Sequence, residues 1–291
     1  MKVGSLFFIS TILSISLPMN TLSFIVLVRG RRRFKRQWFT LINLIIVHLI
    51  QTFFHLPLLI YNTVNSQWMF SEDFCQLDAF VMAVAGFEII FTHLVISIER
   101  FIKLKYPMRY EQVLSTNVLK FASASTWLVA ILFSCPPMFG WSKYVLDGGV
   151  HCGNDLVENA GNISYLLVCS IFGFLVPYIA SITLSIKFLV EVKQVGKIYP
   201  VSKSISVFVI TSMTTFTIAW LPLVACIIFS LTVKRLEPFN MEVVSMVTKI
   251  TIITDTLLFL YLKRDFQEVA KRTISRMKSD SIVKFSFSSS G

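Results

Sequence analysis

The sequence predicts an all-α membrane protein, a seven-transmembrane helix bundle, and three observations support this fold class. Of the 291 residues, 55% are hydrophobic and only 15% are charged, whereas a soluble domain carries about 25% charged residues. Seven apolar stretches have the length of about 18 residues or more that a membrane helix needs. The segments between them are too short for a separate soluble domain and show no β-barrel alternation. We therefore predict a membrane protein and not a water-soluble enzyme.

The predicted spans follow one another along the chain with short connections. They are Leu6–Val28, Trp38–Tyr61, Phe74–Leu104, Val118–Phe139, Tyr165–Val190, Ile205–Leu231 and Val243–Leu262, numbered one to seven. Span one begins like a secretory signal peptide, but its apolar run continues through Pro18 and Asn20 and a dense basic cluster follows. This pattern is typical of a helix that stays in the membrane.

The basic residues predict the orientation of the bundle. Lys and Arg are concentrated in the segments after spans one, three, five and seven, and few lie in the opposite segments. Because cytoplasmic loops are enriched in Lys and Arg, we expect the N-terminus outside and the C-terminus in the cytoplasm. We place the chain in the plasma membrane. The net charge of +11 then reflects contact with a lipid bilayer and does not indicate nucleic-acid binding.

Two of the five cysteines are predicted to pair. Cys135, Cys169 and Cys226 lie inside spans, where a small packed side chain is the ordinary interpretation. Cys75 at the outer start of span three and Cys152 in the outer segment after span four both face an oxidising compartment. We expect a disulfide between Cys75 and Cys152.

Ionisable side chains inside spans are candidate functional groups because burying them in a bilayer is costly. His48 lies in span two, Asp78 and Glu88 in span three, and Lys249 and Asp255 in span seven. Lys249 is roughly 20 Å of helix from the inner end of its span, too far for its amine to reach the interface easily. Desolvation favours the neutral amine, so this lysine is a candidate for Schiff-base chemistry with a carbonyl compound.

Several short motifs resemble those of the opsins, a group of rhodopsin-like G-protein-coupled receptors. The resemblance covers nearly the whole chain, and the opsin-like loop and the position of Lys249, counted back from the Lys263-Arg264-Asp265-Phe266 turn, are its most specific parts. The matching segments are Pro18-Met19-Asn20, Asn43-Leu44, Glu99-Arg100-Phe101, Trp127, Pro177, Trp220-Leu221-Pro222 and the loop sequence from Cys135 to Tyr144 with Asp147, Cys152 and Asp155.

The resemblance implies a retinal cofactor, 11-cis or all-trans, bound through Lys249. Asp78 and Asp147 fall at the two positions that supply the counterion in opsins. Glu99 and Arg100 fall where the family couples to a heterotrimeric G protein, and arrestin is a further candidate partner. The implied wall of the retinal site consists of Gly86, Phe87, Phe174, Phe216 and Trp220. No metal site is predicted.

The resemblance also implies how the chain is organised beyond span seven. We expect a short amphipathic cytoplasmic helix there, one opsin-like domain over residues 1–277, and a serine-rich cytoplasmic tail over residues 278–291.

The chain departs from the receptor pattern in spans two and seven. Asp255-Thr256-Leu257-Leu258-Phe259 stands where most members have Asn-Pro-x-x-Tyr, and His48 stands where span two has an aspartate. The acid has thus moved from span two to span seven, so we expect His48 and Asp255 to face each other as a polar pair. These departures put conventional G-protein activation in doubt.

The predicted function is a light-sensing receptor that signals to a G protein. One alternative is a retinal photoisomerase that uses the same Lys249 without G-protein coupling. Another is a receptor of the same class for a diffusible ligand, in which Lys249 or Glu88 contacts an anion or an amine.

Overall fold

The computed structural model describes residues 2–147, 149–156, 159–195, 203–232, 238–262 and 266–275. Within this part of the chain, seven helices are long and apolar enough to cross a membrane. The predicted seven-span fold is therefore confirmed. The predicted boundary at residue 277 and the serine-rich tail lie outside the described residues.

The helices and strands have the following bounds. Span one is α1 (Lys2–Arg29), followed by α2 (Arg31–Phe34) and a 3-10 turn (Lys35–Gln37). Span two consists of α3 (Trp38–Ile50), a π-helical segment (Gln51–His55) and α4 (Leu56–Asn65), and span three is α5 (Glu72–Lys105). After α6 (Tyr110–Val113), span four is α7 (Thr116–Ser134), followed by a 3-10 turn (Pro136–Phe139). Strands β1 (Tyr144–Asp147) and β2 (His151–Asn154) come next. Span five consists of α8 (Ala160–Val168), a π-helical segment (Cys169–Leu175) and α9 (Val176–Val195). Span six is α10 (Lys203–Thr232), and span seven consists of α11 (Pro238–Thr248) and α12 (Thr251–Leu262).

Polar residues begin several of these helices. The Ser71 hydroxyl accepts a hydrogen bond from the Phe74 backbone N–H and so caps α5, whose first turn carries Glu72 and Asp73. Acidic residues there are favoured by the helix dipole. The capped turn extends the helix beyond the apolar run, so span three begins at Glu72 and not at the predicted Phe74.

Span four is shorter than predicted. Its helix ends at Ser134, not at Phe139. Proline lacks a backbone N–H and cannot continue the hydrogen-bond pattern of a helix. Pro136 and Pro137 therefore turn the chain into a 3-10 turn, which Gly140 closes with a positive φ of 93°.

Helix α5 lies at the centre of the bundle, where it packs against α3, α7, α9 and both strands. Helix α1 packs against α3, α4 and α12, and α10 packs against α12. Spans two, three and seven thereby come together in the interior, which is where the ionisable residues of those spans meet.

The two strands form an antiparallel hairpin that covers one end of the bundle, called here the hairpin end. The predicted disulfide between Cys75 and Cys152 is confirmed, and it ties the hairpin to the first turn of α5. The side chain of Tyr144 is buried and donates a hydrogen bond of 2.8 Å to the carbonyl oxygen of Ser134. The hairpin is thus fixed to spans three and four.

A short helix follows span seven, as predicted. Residues 266–275 are helical, and the buried members Phe266, Ala270 and Thr273 share one face. The Phe266 ring packs against Phe34 with a centroid distance of 5.7 Å. An ion pair of 3.0 Å between Arg33 and Glu268 joins the exposed face of this helix to the segment after span one.

Candidate functional site

Lys249 lies at an interruption of the span-seven helix. Helix α11 ends at Thr248 and α12 begins at Thr251. The backbone N–H groups of Lys249 and Ile250 donate to carbonyl oxygens three residues back, at 3.0 and 3.1 Å. Such a tighter 3-10 stretch inside a helix often marks a functional position.

The Lys249 side chain is buried beside an acid–histidine pair. Only 8% of Lys249 is exposed, and its side chain lies within electrostatic range of Asp78 and His55. His55 Nδ1 lies 3.0 Å from Asp78 Oδ1, and both side chains are buried. The structure therefore brings together Lys249 and Asp78, two of the predicted site residues, and adds His55.

Asp147 lies in the hairpin. Its backbone pairs with His151 at the end of β1, whereas its side chain lies outside the part of the chain that the structure describes. Its predicted role as a second counterion therefore stays a prediction.

The predicted aromatic wall lies between spans three, five and six. The Phe174 and Phe216 rings are stacked with centroids 6.2 Å apart, and Phe216 stacks on Trp220 at 6.0 Å. Gly86 approaches this column closely, since a Cβ atom on it would lie 3.1 Å from the Trp220 ring. Phe87 lies on another side, with its ring 5.3 Å from that of Phe133 and close to Gly173. Four of the five predicted wall residues thus form one contact group, and Phe87 packs elsewhere.

Glu88 belongs to a separate polar cluster between spans two, three and four. Its Oε1 atom accepts hydrogen bonds from Asn43 Nδ2 at 3.0 Å, Thr92 Oγ1 at 2.8 Å and Thr126 Oγ1 at 2.9 Å. Asn43 also donates to the Ser123 carbonyl oxygen. These contacts give Glu88 a structural role in joining three helices.

The predicted partners His48 and Asp255 are in contact. His48 Nε2 lies 3.2 Å from Asp255 Oδ2, and His93 Nε2 on span three lies 3.5 Å from the same oxygen. All three side chains are buried. We call these residues the His–Asp–His cluster. Within the described part of the chain, no group of His, Cys, Asp and Glu has the arrangement of a metal site.

A cavity lies next to this cluster and extends to Arg100, at the end of span three away from the hairpin. Polar groups of spans three, five, six and seven line it, so it connects Asp255 to the Glu99–Arg100 motif. The lining residues are Leu44, His93, Ile96, Ser97, Arg100, Ser185, Phe188, Ser212, Met213, Asp255 and Phe259.

Glu99 is held by the segment that follows span three. The Tyr110 hydroxyl on α6 donates a hydrogen bond of 2.8 Å to Glu99 Oε1, and both side chains are buried. Burial and the neighbouring Glu99 carboxylate raise the pKa of the Tyr110 hydroxyl, so it remains a donor at physiological pH. Glu99 also interacts electrostatically with Arg100. The Glu99–Arg100 motif of span three is thus joined to α6 by a side-chain hydrogen bond.

Sequence reasoning missed three ionisable residues of these clusters: His55, His93 and Tyr110. The two histidines carry the same signal that identified His48, an ionisable side chain inside an apolar span. Tyr110 carries no comparable signal, because a tyrosine beside a charged loop is ordinary.

Comparison with protein families identifies the fold group. The family model "7 transmembrane receptor (rhodopsin family)" matches residues 19–260. The chain belongs to this family. The match includes the last part of span one, spans two to six and nearly all of span seven, and therefore all of the clusters described above.

Curated relatives of this receptor are named rhodopsins and opsins. A Gq-coupled rhodopsin of Mizuhopecten yessoensis is 35% identical over 125 residues, which are 42% of this chain and 25% of that protein. Rhodopsin of Petromyzon marinus is 24% identical over 89% of this chain and 77% of its own length. A rhodopsin of Lethenteron camtschaticum is 26% identical over 72% of this chain and 62% of its own length. The chain thus spans less than two thirds of two of these relatives.

A solved structure supports the same fold. The crystal structure of squid rhodopsin superposes on this receptor with a TM-score of 0.83, covering 95% of this chain and 86% of that one at 18% sequence identity. The receptor is therefore an opsin-like, multi-pass membrane protein with the rhodopsin arrangement of helices.

Proposed function

We propose that this receptor senses light through retinal attached to Lys249 and signals to a heterotrimeric G protein. The observation that carries the proposal is the buried Lys249 amine at the interruption of span seven, within electrostatic range of Asp78. A buried charge needs a nearby opposite charge, and a desolvated lysine is a good nucleophile toward carbonyl carbon. This arrangement favours covalent attachment of an aldehyde.

The aromatic residues between spans three, five and six fit a flat, apolar ligand. Phe174, Phe216 and Trp220 form a stacked column, and the lack of a side chain at Gly86 lets span three approach Trp220 closely. Small-molecule sites are lined mainly by apolar and aromatic side chains of this kind.

The chain's own residues have defined tasks in this proposal. Lys249 would hold retinal through its side-chain nitrogen. Asp78 balances the positive charge on that nitrogen, with Asp147 as the second candidate. Retinal, once bound, supplies the light absorption and the change of shape.

The proposed output is G-protein activation from the end opposite to the hairpin. Glu99 and Arg100 lie at that end of span three. The basic residues that predict the cytoplasmic side are concentrated after spans one, three, five and seven. We therefore propose a plasma-membrane receptor with the N-terminus outside and the C-terminus inside. A G protein is the proposed partner, and arrestin is a second one.

A second candidate function, a retinal photoisomerase, is favoured by one observation. Asp255 replaces the first residue of the usual span-seven motif and is held by two histidines. A span seven held in this way would limit the helix movement that coupling requires. The photoisomerase would use Lys249 and the aromatic column unchanged.

The proposal is tested by the absorption spectrum of the purified chain after incubation with 11-cis or all-trans retinal. We expect a visible band and a retinal adduct that survives acid denaturation. Lys249→Ala should abolish both, whereas Lys187→Ala, which removes an exposed lysine of span five, should leave them unchanged. Absence of any pigment with either isomer would refute the proposal and favour a receptor for a diffusible ligand.

Coupling is tested separately on the same preparation. Light-dependent nucleotide exchange on a G protein would support the receptor function. Light-driven turnover of all-trans to 11-cis retinal, without nucleotide exchange, would support the photoisomerase instead.

A further inference from the structure

We infer that His55 is a positioning residue for the counterion: it donates a hydrogen bond to Asp78 and thereby keeps this carboxylate ionised beside Lys249. The inference rests on the proposed function, since it concerns the same retinal site. Its geometric basis is the contact of 3.0 Å between His55 Nδ1 and Asp78 Oδ1.

The His55–Asp78 contact joins two different spans. His55 is the last residue of the π-helical segment Gln51–His55 in span two, and Asp78 lies one turn after Cys75 in α5. Both residues are at least 95% buried. Single π-helical turns occur frequently at functional sites, because they change the direction of the side chains that follow.

The charges around Asp78 determine whether Lys249 or His55 carries the positive charge. Lys249 on span seven interacts with both Asp78 and His55. Two cations in one buried site disfavour each other, so His55 is neutral when the nitrogen of Lys249 is charged. An ionised carboxylate can only accept hydrogen bonds. His55 is therefore the neutral tautomer with its proton on Nδ1.

This donor stabilises the ionised form of Asp78. A hydrogen bond from a neutral donor to a charged carboxylate is about twice as strong as one between neutral groups. His55 would thus favour the charged form of the nitrogen that joins Lys249 to retinal, which is the visible-absorbing form. Loss of this donor would favour the neutral, near-ultraviolet form.

The experiment compares two substitutions of His55 in purified, retinal-bound receptor at neutral pH. His55→Leu removes the donor, whereas His55→Asn keeps an N–H at the same number of bonds from the backbone. We expect His55→Leu to change the ratio of visible to near-ultraviolet forms roughly ten- to hundredfold, the effect of losing one charge-assisted hydrogen bond. His55→Asn should retain most of the visible band.

A matched control and a double variant show that the effect passes through Asp78. Thr63→Val removes another buried polar group of span two, whose hydroxyl donates only to the Leu59 carbonyl oxygen among the described residues; it should leave the spectrum unchanged. In an Asp78→Asn background, His55→Leu should have no further effect.

The outcomes separate this inference from the proposed function. If the unaltered chain forms no pigment, the proposed function fails. If the unaltered chain forms a visible pigment and His55→Leu leaves its spectrum unchanged, or shifts it equally in the Asp78→Asn background, the role of His55 is refuted.

A second variant and a measurement on the unaltered sequence cover the case in which His55→Leu does not fold. His55→Met is a second variant without the donor. Nitrogen NMR of pigment labelled at histidine should also show a neutral ring with a protonated, hydrogen-bonded Nδ1 that responds to Asp78→Asn. Absence of such a signal would overturn the inference.

Discussion

Asp255 is held by an unusual pair of neighbours for a carboxylate inside a membrane bundle. His48 and His93 approach the same oxygen from spans two and three, at 3.2 and 3.5 Å. A buried carboxylate is tolerated only where hydrogen bonds or opposite charges compensate its lost hydration. The His–Asp–His cluster meets this requirement and joins three spans through one side chain.

The contact between His48 and Asp255 predicts non-additive substitutions. His48→Ala and Asp255→Ala should each lower stability by a few kcal/mol, because each leaves a buried polar group without its partner. The double variant should cost less than the sum, by about 0.5–3 kcal/mol. The measurement is the unfolding free energy of the purified protein for all four forms.

The control for this comparison uses residues that do not touch. Thr63 lies fifteen residues from His48 in span two, about 20 Å along the helix. Thr63→Val combined with Asp255→Ala should therefore be additive within about 0.5 kcal/mol. Additive costs for His48→Ala with Asp255→Ala would mean that the pair is not in contact.

At the scale of elements, the hairpin is positioned by one covalent bond and by the buried side chain of Tyr144. The disulfide joins Cys75 in α5 to Cys152 in β2 across a sequence separation of 77 residues. Asp147 lies in the opposite strand, so the position of its backbone depends on this link.

Removing the disulfide should therefore destabilise the receptor and loosen the hairpin. The double variant Cys75→Ser with Cys152→Ser should cost about 4 kcal/mol by the loss of a chain constraint on the unfolded state. We expect a lower melting temperature and faster hydrogen exchange in β1 and β2. Cys226→Ser, which changes a free cysteine, should leave both unchanged, and unaltered exchange in the strands of the double variant would contradict the prediction.

Irregular segments within spans determine where the site residues point. The π-helical turn that ends at His55 and the interruption at Lys249 both lie in helices that the apolar pattern predicts as continuous. Threonine side chains satisfy backbone groups at the second of these. The hydroxyls of Thr248 and Thr251 donate to the carbonyl oxygens of Ser245 and Thr248, each at 2.7 Å. The interruption therefore leaves few unpaired groups in the apolar interior.

At the scale of the whole molecule, the basic residues predict one orientation in the membrane. Those that precede span two and follow span seven lie at the end opposite to the hairpin, where Arg33 meets Glu268. An epitope at the N-terminus should be accessible to antibody on intact cells, and one at the C-terminus only after permeabilisation. The reverse pattern would overturn the proposed orientation and with it the assignment of Arg100 to the G-protein side.

The number of spans and the disulfide were predictable because each depends on a local property. A bilayer requires about 20 apolar residues per helix, and cysteines at the outer end of a span or in an outer segment have few possible partners. The contact between His48 and Asp255 was also predictable, since relative to the receptor pattern the acid has moved from span two to span seven and a histidine stands in its former place. The end of span four was predicted too late, because apolar character continues past Ser134 although Pro136 and Pro137 end the helix.

The sequence by itself determined the seven-helix fold, the buried amine of Lys249 and the family resemblance, since hydropathy and short motifs are properties of consecutive residues. Only the tertiary structure decided that His55 contacts Asp78, that His93 joins Asp255, and that Glu88 is occupied by Asn43, Thr92 and Thr126. The physical reason is that a polar side chain in an apolar bundle takes whichever partner helix packing brings within about 3 Å. Helix packing, and the π-helical and 3-10 segments that rotate side chains within a span, depend on residues far apart in the chain.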